Sequence, residues 1–362
     1  MFPVVKSWLK NQAGISIRQP LSKEVENNNQ DYLAQSGTNK LGWRHFRKAI
    51  QFGLSGQSKY LCQKIEPSWK RVLWIYEGIP QIGDALMDLA PRSLLHQEKF
   101  DCDLLIDNHL APLFQSDPWF NHIESNPQLL AGKTYDFIIL QSNKRRSMRT
   151  KMRYFRSTYW ISMHGFYTGP EFNRANFATQ RLADLLATSC TDVDFETHAR
   201  QKLCPLPPRS SPKNSDLKIA FALGGVDSSR VYEKWVELAL ALHSFFKITI
   251  TLIGSSNAHN FAVDFLEHLG QKIQVRNLVA KISITETRDA IAAQDLVIAC
   301  DGGLMHLSVT TETPLIGLFN KTVHPCWRLP KSRLITCIQS DTEQVNHISV
   351  NDILNAATKI LK

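Results

Sequence analysis

The 362-residue chain has no apolar run approaching the roughly 18 to 20 residues that a membrane-crossing helix needs. Its N-terminus also lacks the continuous apolar core of a secretory signal, so a cytoplasmic protein is expected. Cysteine is sparse and scattered. The seven thiols at 62, 102, 190, 204, 300, 326 and 337 are odd in number and form no Cys-X-X-Cys, which argues against a zinc site or a disulfide framework and for buried reduced thiols. Acidic residues are in deficit: 33 against 42 basic ones give a net charge of +9, which favours nucleic acid, anionic lipid or a phosphorylated glycolipid as partner. No recognised nucleic-acid motif accompanies that charge, so no nucleic acid is expected. An Asp-X-Asp, Asp101-Cys102-Asp103, opens an N-terminal strand, far in sequence from the glycine pair at 302 and 303, so no metal role is expected there.

Against these absences stands the stretch Leu296 to Leu307. A short apolar run reads as a buried strand, Asp301 ends it, Gly302 and Gly303 permit a tight turn, and Leu304 onward has helical spacing with His306 close behind. A helix N-terminus presents unpaired N–H groups and partial positive charge, and glycines let that backbone approach an anion. The alternative is an ordinary strand-to-helix turn with a buried aspartate as cap. A second strand, loop and helix runs from Val72 through Glu77-Gly78-Ile79-Pro80-Gln81-Ile82-Gly83-Asp84 into the apolar-periodic Ala85 to Ala90.

Strands and helical stretches alternate along most of the chain. Strands are expected near 72–76, 102–106 and 137–140, then near 217–223, 248–253, 273–277, 295–300 and 314–318. Helices are expected over 174–187, 232–244, 259–269 and 285–293, with a last amphipathic helix capped by Ser349. This alternation implies α/β architecture: two doubly wound, Rossmann-like domains with parallel sheets. The proline-rich segment 204–216 separates them as a linker. The domains are then an N-terminal extension over 1–65, a domain over 66–203, and a second domain over 217–362 that ends in the terminal helix. Such domains bind ligands beyond the carboxyl ends of their strands. Within the extension, Ser22 to Asp31 is polar and reads as loop or disorder. Trp43, Phe46 and Ile50 alternate with Arg44, Arg47 and Lys48 in a short basic amphipathic helix, either packed on the first domain or lying on a membrane surface.

The two motifs, in this order, resemble glycosyltransferase family nine, the lipopolysaccharide heptosyltransferases. In that family an N-terminal strand leads to Ile-Gly-Asp, and a C-terminal strand leads to Asp-(Ser/Thr)-Gly-X-X-His followed by Pro-X-(X)-Gly-Leu-Phe-Gly-X-Thr. Here the second block is Asp301-Gly302-Gly303-Leu304-Met305-His306, then Pro314 to Phe319, Asn320, Lys321 and Thr322. The resemblance covers about residues 70 to 335. It implies a GT-B fold, two Rossmann-like domains facing across a cleft, and an inverting, metal-independent transfer without cofactor. The implied donor is ADP-heptose, the implied acceptor an anionic lipooligosaccharide or lipopolysaccharide core, and the implied location cytoplasmic with peripheral contact at the inner membrane.

Residue roles follow from the resemblance. Asp84 occupies the position of the general base, since an acceptor hydroxyl needs a carboxylate within hydrogen-bond reach to take its proton; it would also serve as N-cap of a helix beginning at Ala85. Asp301, Gly302, Gly303, His306 and Thr322 belong to the donor site, although His306 also reads as a core histidine. Where the family has a lysine in the loop after the first C-domain strand, Arg230 stands as the phosphate cation, with Ser228 and Ser229 as hydroxyl donors. Lys234 lies further along. Gly302 replaces the motif Ser/Thr, Asn320 replaces a glycine, and no ribose-binding glutamate follows Gly254, so that contact falls to Asn257 or to backbone. Ile282 matches the segment that packs on adenine. Lys144, Arg145, Arg146 and Arg149 open a run of seven basic residues over 144–156, read either as a clamp for acceptor phosphates or as a solvated helix face. These departures leave open transfer of a hexose from a UDP or GDP donor, or a catalytically silent sugar-nucleotide or glycolipid binding protein.

Overall fold

In the computed structural model, residues 5, 7–9, 11, 36–165, 167, 172–187, 193–207 and 216–362 are described. The polar stretch 22–31 and residues 208–215 of the proline-rich segment lie outside them. The chain divides into two compact units. The first comprises residues 1–80, 87–111 and 117–200, and the second comprises 81–86, 112–116 and 201–362.

The first unit carries helix α1 (Thr38–Leu54) and strands β1 (Arg71–Tyr76), β2 (Asp101–Ile106), β3 (His122–Glu124), β4 (Phe137–Leu140) and β5 (Tyr159–Ser162). The labelled helices that follow α1 along the chain are α2 (Ile82–Asp88), α3 (Arg92–Gln97), α4 (Arg145–Tyr154) and α5 (Arg174–Leu185). Its sheet is parallel in the order β3-β2-β1-β4-β5. From its second residue β1 is buried throughout, and all of β4 is buried. Such continuous apolar strands suit a sheet covered on both faces. Strand order reverses between β1 and β4.

The second unit holds β6 (Leu217–Ala222), α6 (Trp235–His243), β7 (Ile248–Ile253), α7 (His259–Leu269) and β8 (Gln274–Asn277). It continues with α8 (Ile284–Ala292), β9 (Leu296–Cys300), α9 (Gly303–Val309), β10 (Leu315–Phe319), β11 (Ile335–Gln339) and α10 (Val350–Leu361). The six strands are parallel in the order β11-β10-β9-β6-β7-β8, so this sheet reverses between β6 and β9. One core joins Ile219 and Phe221 of β6, Ile298 of β9, Trp235 and Leu238 of α6, Phe265 of α7 and Ile353 of α10. At about 25 cal/mol per Å² of apolar surface removed from water, burying one such large side chain is worth about 1.5–3 kcal/mol. Local signals set the helix starts. Ser283 and Glu286 form a reciprocal capping box on α8, and Ser349 accepts from the Asp352 N–H on α10, as expected from sequence.

Candidate active site

The reversal between β6 and β9 positions a buried ionic group of the second unit. Asp301 follows β9 directly and is buried, its side chain only 3% exposed. Its Oδ2 meets Arg230 Nη1 at 3.1 Å, from the loop after β6, and Arg328 Nε at 3.6 Å. A buried carboxylate is tolerated only when paired, and here two guanidinium groups share it. Arg230 also lies 3.7 Å from Asp227. Lys234 precedes α6 rather than lying inside it, and its amine reaches the Ile348 carbonyl, away from Asp301. Gly302 is extended (φ 177°), and a Cβ there would meet only the Cys300 carbonyl, at 3.8 Å. No side chain caps α9, so the alternative reading of Asp301 as its cap is not met.

Neighbouring loops are tied to this turn. Asp227 accepts from the Ser229 N–H (3.0 Å) and hydroxyl (2.8 Å). The Asn320 amide donates to Ser229 Oγ at 3.3 Å, while Asn320 Oδ1 accepts from the Thr322 N–H and hydroxyl. Ser229 and Thr322 are thus joined through a residue that sequence reasoning treated only as a departure. Ser228 is exposed in the same loop. Gly224, at φ +80°, opens that loop where a Cβ would press on Ala258 of the loop after β7. Asn257 is exposed in the β7 loop and accepts the Ser255 hydroxyl at 2.5 Å; half-buried Ile282 lies in the loop after β8. All ten residues expected to hold a donor therefore stand beyond the carboxyl ends of β6 to β10, where doubly wound sheets bind ligands.

His306 is a buried histidine, 3% exposed. Its Nδ1 lies 2.8 Å from Gln201 Oε1, and the Gln201 amide nitrogen donates to the Arg328 carbonyl at 2.7 Å. Because that carbonyl can only accept, it fixes the glutamine amide, and Nδ1 of His306 must donate. The ring edge of His306 rests on Gly83, where any Cβ would collide with Cδ2. Segment 81–86, which carries Asp84, belongs to this same unit. Helix α2 begins at Ile82, so half-buried Asp84 lies in its first turn and is not the N-cap of a helix starting at Ala85. The carboxylate sits where an extra negative charge near a helix N-terminus is favoured.

In the first unit the residues beyond β1 and β4 are also polar. Gly78 N–H donates to Asp107, Arg146 pairs with Asp107 at 2.8 Å and lies 3.5 Å from Glu77, and Lys144 donates to the Gly78 carbonyl. Glu77 Oε2, Gln141 Nε2, Ser142 Oγ and Asn143 Oδ1 are buried without a hydrogen-bond partner. Arg145 and Arg149 are exposed on α4. Lys151, counted in the same basic run, turns inward instead and donates to Gln57 Oε1 (2.5 Å) and the Arg156 carbonyl (3.0 Å). Asp103 of the Asp-X-Asp is engaged by Lys133, Tyr135 and His122. Asp88, one turn past Asp84, is fully buried and accepts from Tyr76 and Arg174. Burial alone would raise its pKa, but Arg174 and His164 hold it well below the usual carboxylate range.

A family model, glycosyltransferase family 9 (heptosyltransferase), matches residues 130–357. The chain belongs to this family. It is a glycosyltransferase, and the family implies a nucleotide-sugar donor and a glycolipid acceptor. Among solved structures, the glycosyl transferase family 9 protein from Veillonella parvula is similar, with a TM-score of 0.67 at 14% identity over 83% of this chain and 99% of that one. ADP-heptose lipopolysaccharide heptosyltransferase II of E. coli gives 0.66 at 18% identity over 80% and 98%. The E. coli heptosyltransferase WaaC with ADP gives 0.62 at 15% over 80% and 99%. These likenesses establish the α/β, GT-B fold of this glycosyltransferase. No curated protein sequence matches the chain.

Proposed function

We propose that this glycosyltransferase moves a heptose from ADP-heptose to a lipooligosaccharide or lipopolysaccharide core acceptor, with inversion at the anomeric carbon and without a metal. The observation that carries the reading is the Arg230–Asp301–Arg328 group at the β6/β9 reversal. A departing nucleoside diphosphate must be met by positive charge. Arg230 can turn to a diphosphate because Arg328 remains beside Asp301, so the buried carboxylate never loses both partners. The N–H groups of Gly302 and Gly303 add donors, and Ser228, Ser229 and Thr322 line the same loops. Asn257 and Ile282 would take the ribose and the adenine.

In the transfer, an acceptor hydroxyl attacks the anomeric carbon from the face opposite the diphosphate. The new carbon–oxygen bond forms as the bond to the diphosphate oxygen breaks, and Asp84 takes the hydroxyl proton. His306 holds Gly83 in place, and with it the helix turn that carries the base. The orphaned polar atoms of Glu77, Gln141, Ser142 and Asn143 support a polyhydroxylated acceptor, with Lys144, Arg145, Arg146 and Arg149 as its anion contacts.

Thermal stabilisation by ADP, UDP, GDP and their sugar conjugates tests the donor. A ligand that binds only the folded state adds about 2.7 kcal/mol at a hundredfold excess over its Kd. Stabilisation confined to ADP compounds is expected; stabilisation by UDP or GDP alone would overturn the heptose reading in favour of a hexose donor. Asp84→Ala should reduce transfer by about 10²- to 10⁴-fold while leaving donor binding intact, and undiminished turnover would remove Asp84 from the mechanism.

A further inference from the structure

Helix α1 lies wholly before the family-matched region and takes no part in the site described above. One side of it is packed. Leu41, Gly42, His45 and Phe52 are buried, Phe52 stacks edge-on against Trp160 at 5.4 Å, and the Leu9 backbone fills the space beside Gly42. Trp8 covers Phe46 at 4.7 Å. Among the described residues the other side is open. Trp43 is 43% exposed, Ile50 41% and Leu54 87%. With exposed Arg47 between them, they recur at the four-, three- and four-residue spacing of a single helical face. Exposed Lys40 and Arg44 flank that stripe.

The charge around this face has one sign. Between Asp31 and Glu66 the sequence contains no acidic residue but holds Lys40, Arg44, Arg47, Lys48, Lys59 and Lys64. The turn that follows α1 extends the pattern, since the Gln57 amide donates to the Arg156 carbonyl and so brings the end of the 144–156 basic run beside it. A face with a tryptophan and two large aliphatics, bordered by cations and backed by a packed core, has the chemistry of a helix that lies in a lipid headgroup layer. A protein partner would need matching apolar area and acidic groups. A bilayer supplies both from any patch of anionic headgroups.

We propose that α1 docks this protein on an anionic phospholipid surface, with Trp43, Ile50 and Leu54 in the acyl boundary and Lys40, Arg44 and Arg47 at the phosphates. The inference rests on the helix alone and stands whether or not the donor is ADP-heptose. The test is sedimentation of the full chain with vesicles of phosphatidylcholine containing 30% phosphatidylglycerol, against vesicles of phosphatidylcholine alone. Binding is expected only to the anionic vesicles, and to weaken with salt. Each cation near an anionic surface contributes about a factor of five, so R44Q/R47Q should weaken binding about 25-fold. W43S/L54S should weaken it at neutral and high salt alike. Arg44, Arg47 and Leu54 are exposed, so R44Q/R47Q should keep the wild-type melting temperature; Trp43 also packs edge-on against Phe46 at 5.7 Å, so for W43S/L54S the control is an unchanged circular dichroism spectrum at the temperature of the binding assay. Equal binding to both vesicle types, or variants that bind as wild type does, would overturn the proposal. So would a dimer in solution that W43S/L54S dissociates while leaving vesicle binding unchanged, because the face would then belong to a second copy.

Discussion

Two glycines beside the same histidine have opposite requirements. Gly83 has no room: the His306 ring edge occupies the place of a Cβ. Gly83→Ala should therefore push His306 off Gln201 or bend the start of α2, costing about 1–3 kcal/mol, with a larger loss in turnover than in donor affinity. Calorimetry and a KM-against-kcat comparison would check this. Gly302 has room and an extended backbone that any residue adopts. Gly302→Ser should fold normally and, by restoring a hydroxyl donor at the phosphate turn, tighten diphosphate binding several-fold. Weaker binding would place the diphosphate elsewhere. Arg230→Ala removes a charged donor and should weaken the diphosphate by about 1.5–3 kcal/mol, while Arg230→Lys should recover only part of that. Isothermal titration with the preferred nucleoside diphosphate decides it.

At the scale of elements, Lys151 shows how a helix in a charged run is anchored. Its ammonium is drawn inward from α4 to Gln57 and the Arg156 carbonyl, and burial lowers its pKa from 10.5 to about 8. The folded chain then gives up this proton at lower pH than the unfolded chain. Between about pH 8 and 10.5 the unfolded state binds more protons at this site, so its contribution to stability rises with pH. The difference in unfolding free energy between wild type and Lys151→Met should accordingly shift in favour of wild type from pH 7.5 to 9, and a constant difference would mean that Lys151 keeps its ordinary pKa. Sequence reasoning reads the 144–156 run as a clamp for acceptor phosphates or a solvated helix face, because spacing cannot tell an inward lysine from an outward one. It located the apolar strands β1, β2, β4, β6, β7, β9 and β10 to within a residue or two, since burial on both faces leaves unbroken apolar runs. The edge strands β3, β5 and β11 escaped it; β3 has only three residues, β3 and β11 carry polar or exposed positions, and β5 opens on the exposed Tyr159. Asp301 was legible because it directly follows a strand, and Arg230 because the family resemblance places a cation in the loop after β6. Gln201 and Asn320 were not, since their partners lie about 90 to 130 residues away, and neither was Arg328, which only the fold brings beside Asp301.

At the scale of the whole molecule, two short segments, 81–86 and 112–116, cross the boundary that chain order suggests, and the first of them carries Asp84. Residues 81–86 follow a strand of the first sheet yet belong to the second compact unit, through Gly83 against His306 and Ile82 against Gly303. The residue proposed as base is thereby mounted on the turn proposed to hold the leaving group. A diphosphate that orders Gly302 and Gly303 should steady His306, and through it Gly83 and Asp84, so hydrogen exchange in the presence of the diphosphate should slow together over 228–230, 301–309 and 82–86. The strands β1, β2 and β4 should exchange as before. In Gln201→Ala, which removes the partner of His306 Nδ1, protection should persist at 301–303 and disappear at 82–86. If 82–86 stayed protected in that variant, the segment would be held independently of His306, and the coupling of base to leaving-group site would have to run through Ile82 and Gly303 alone.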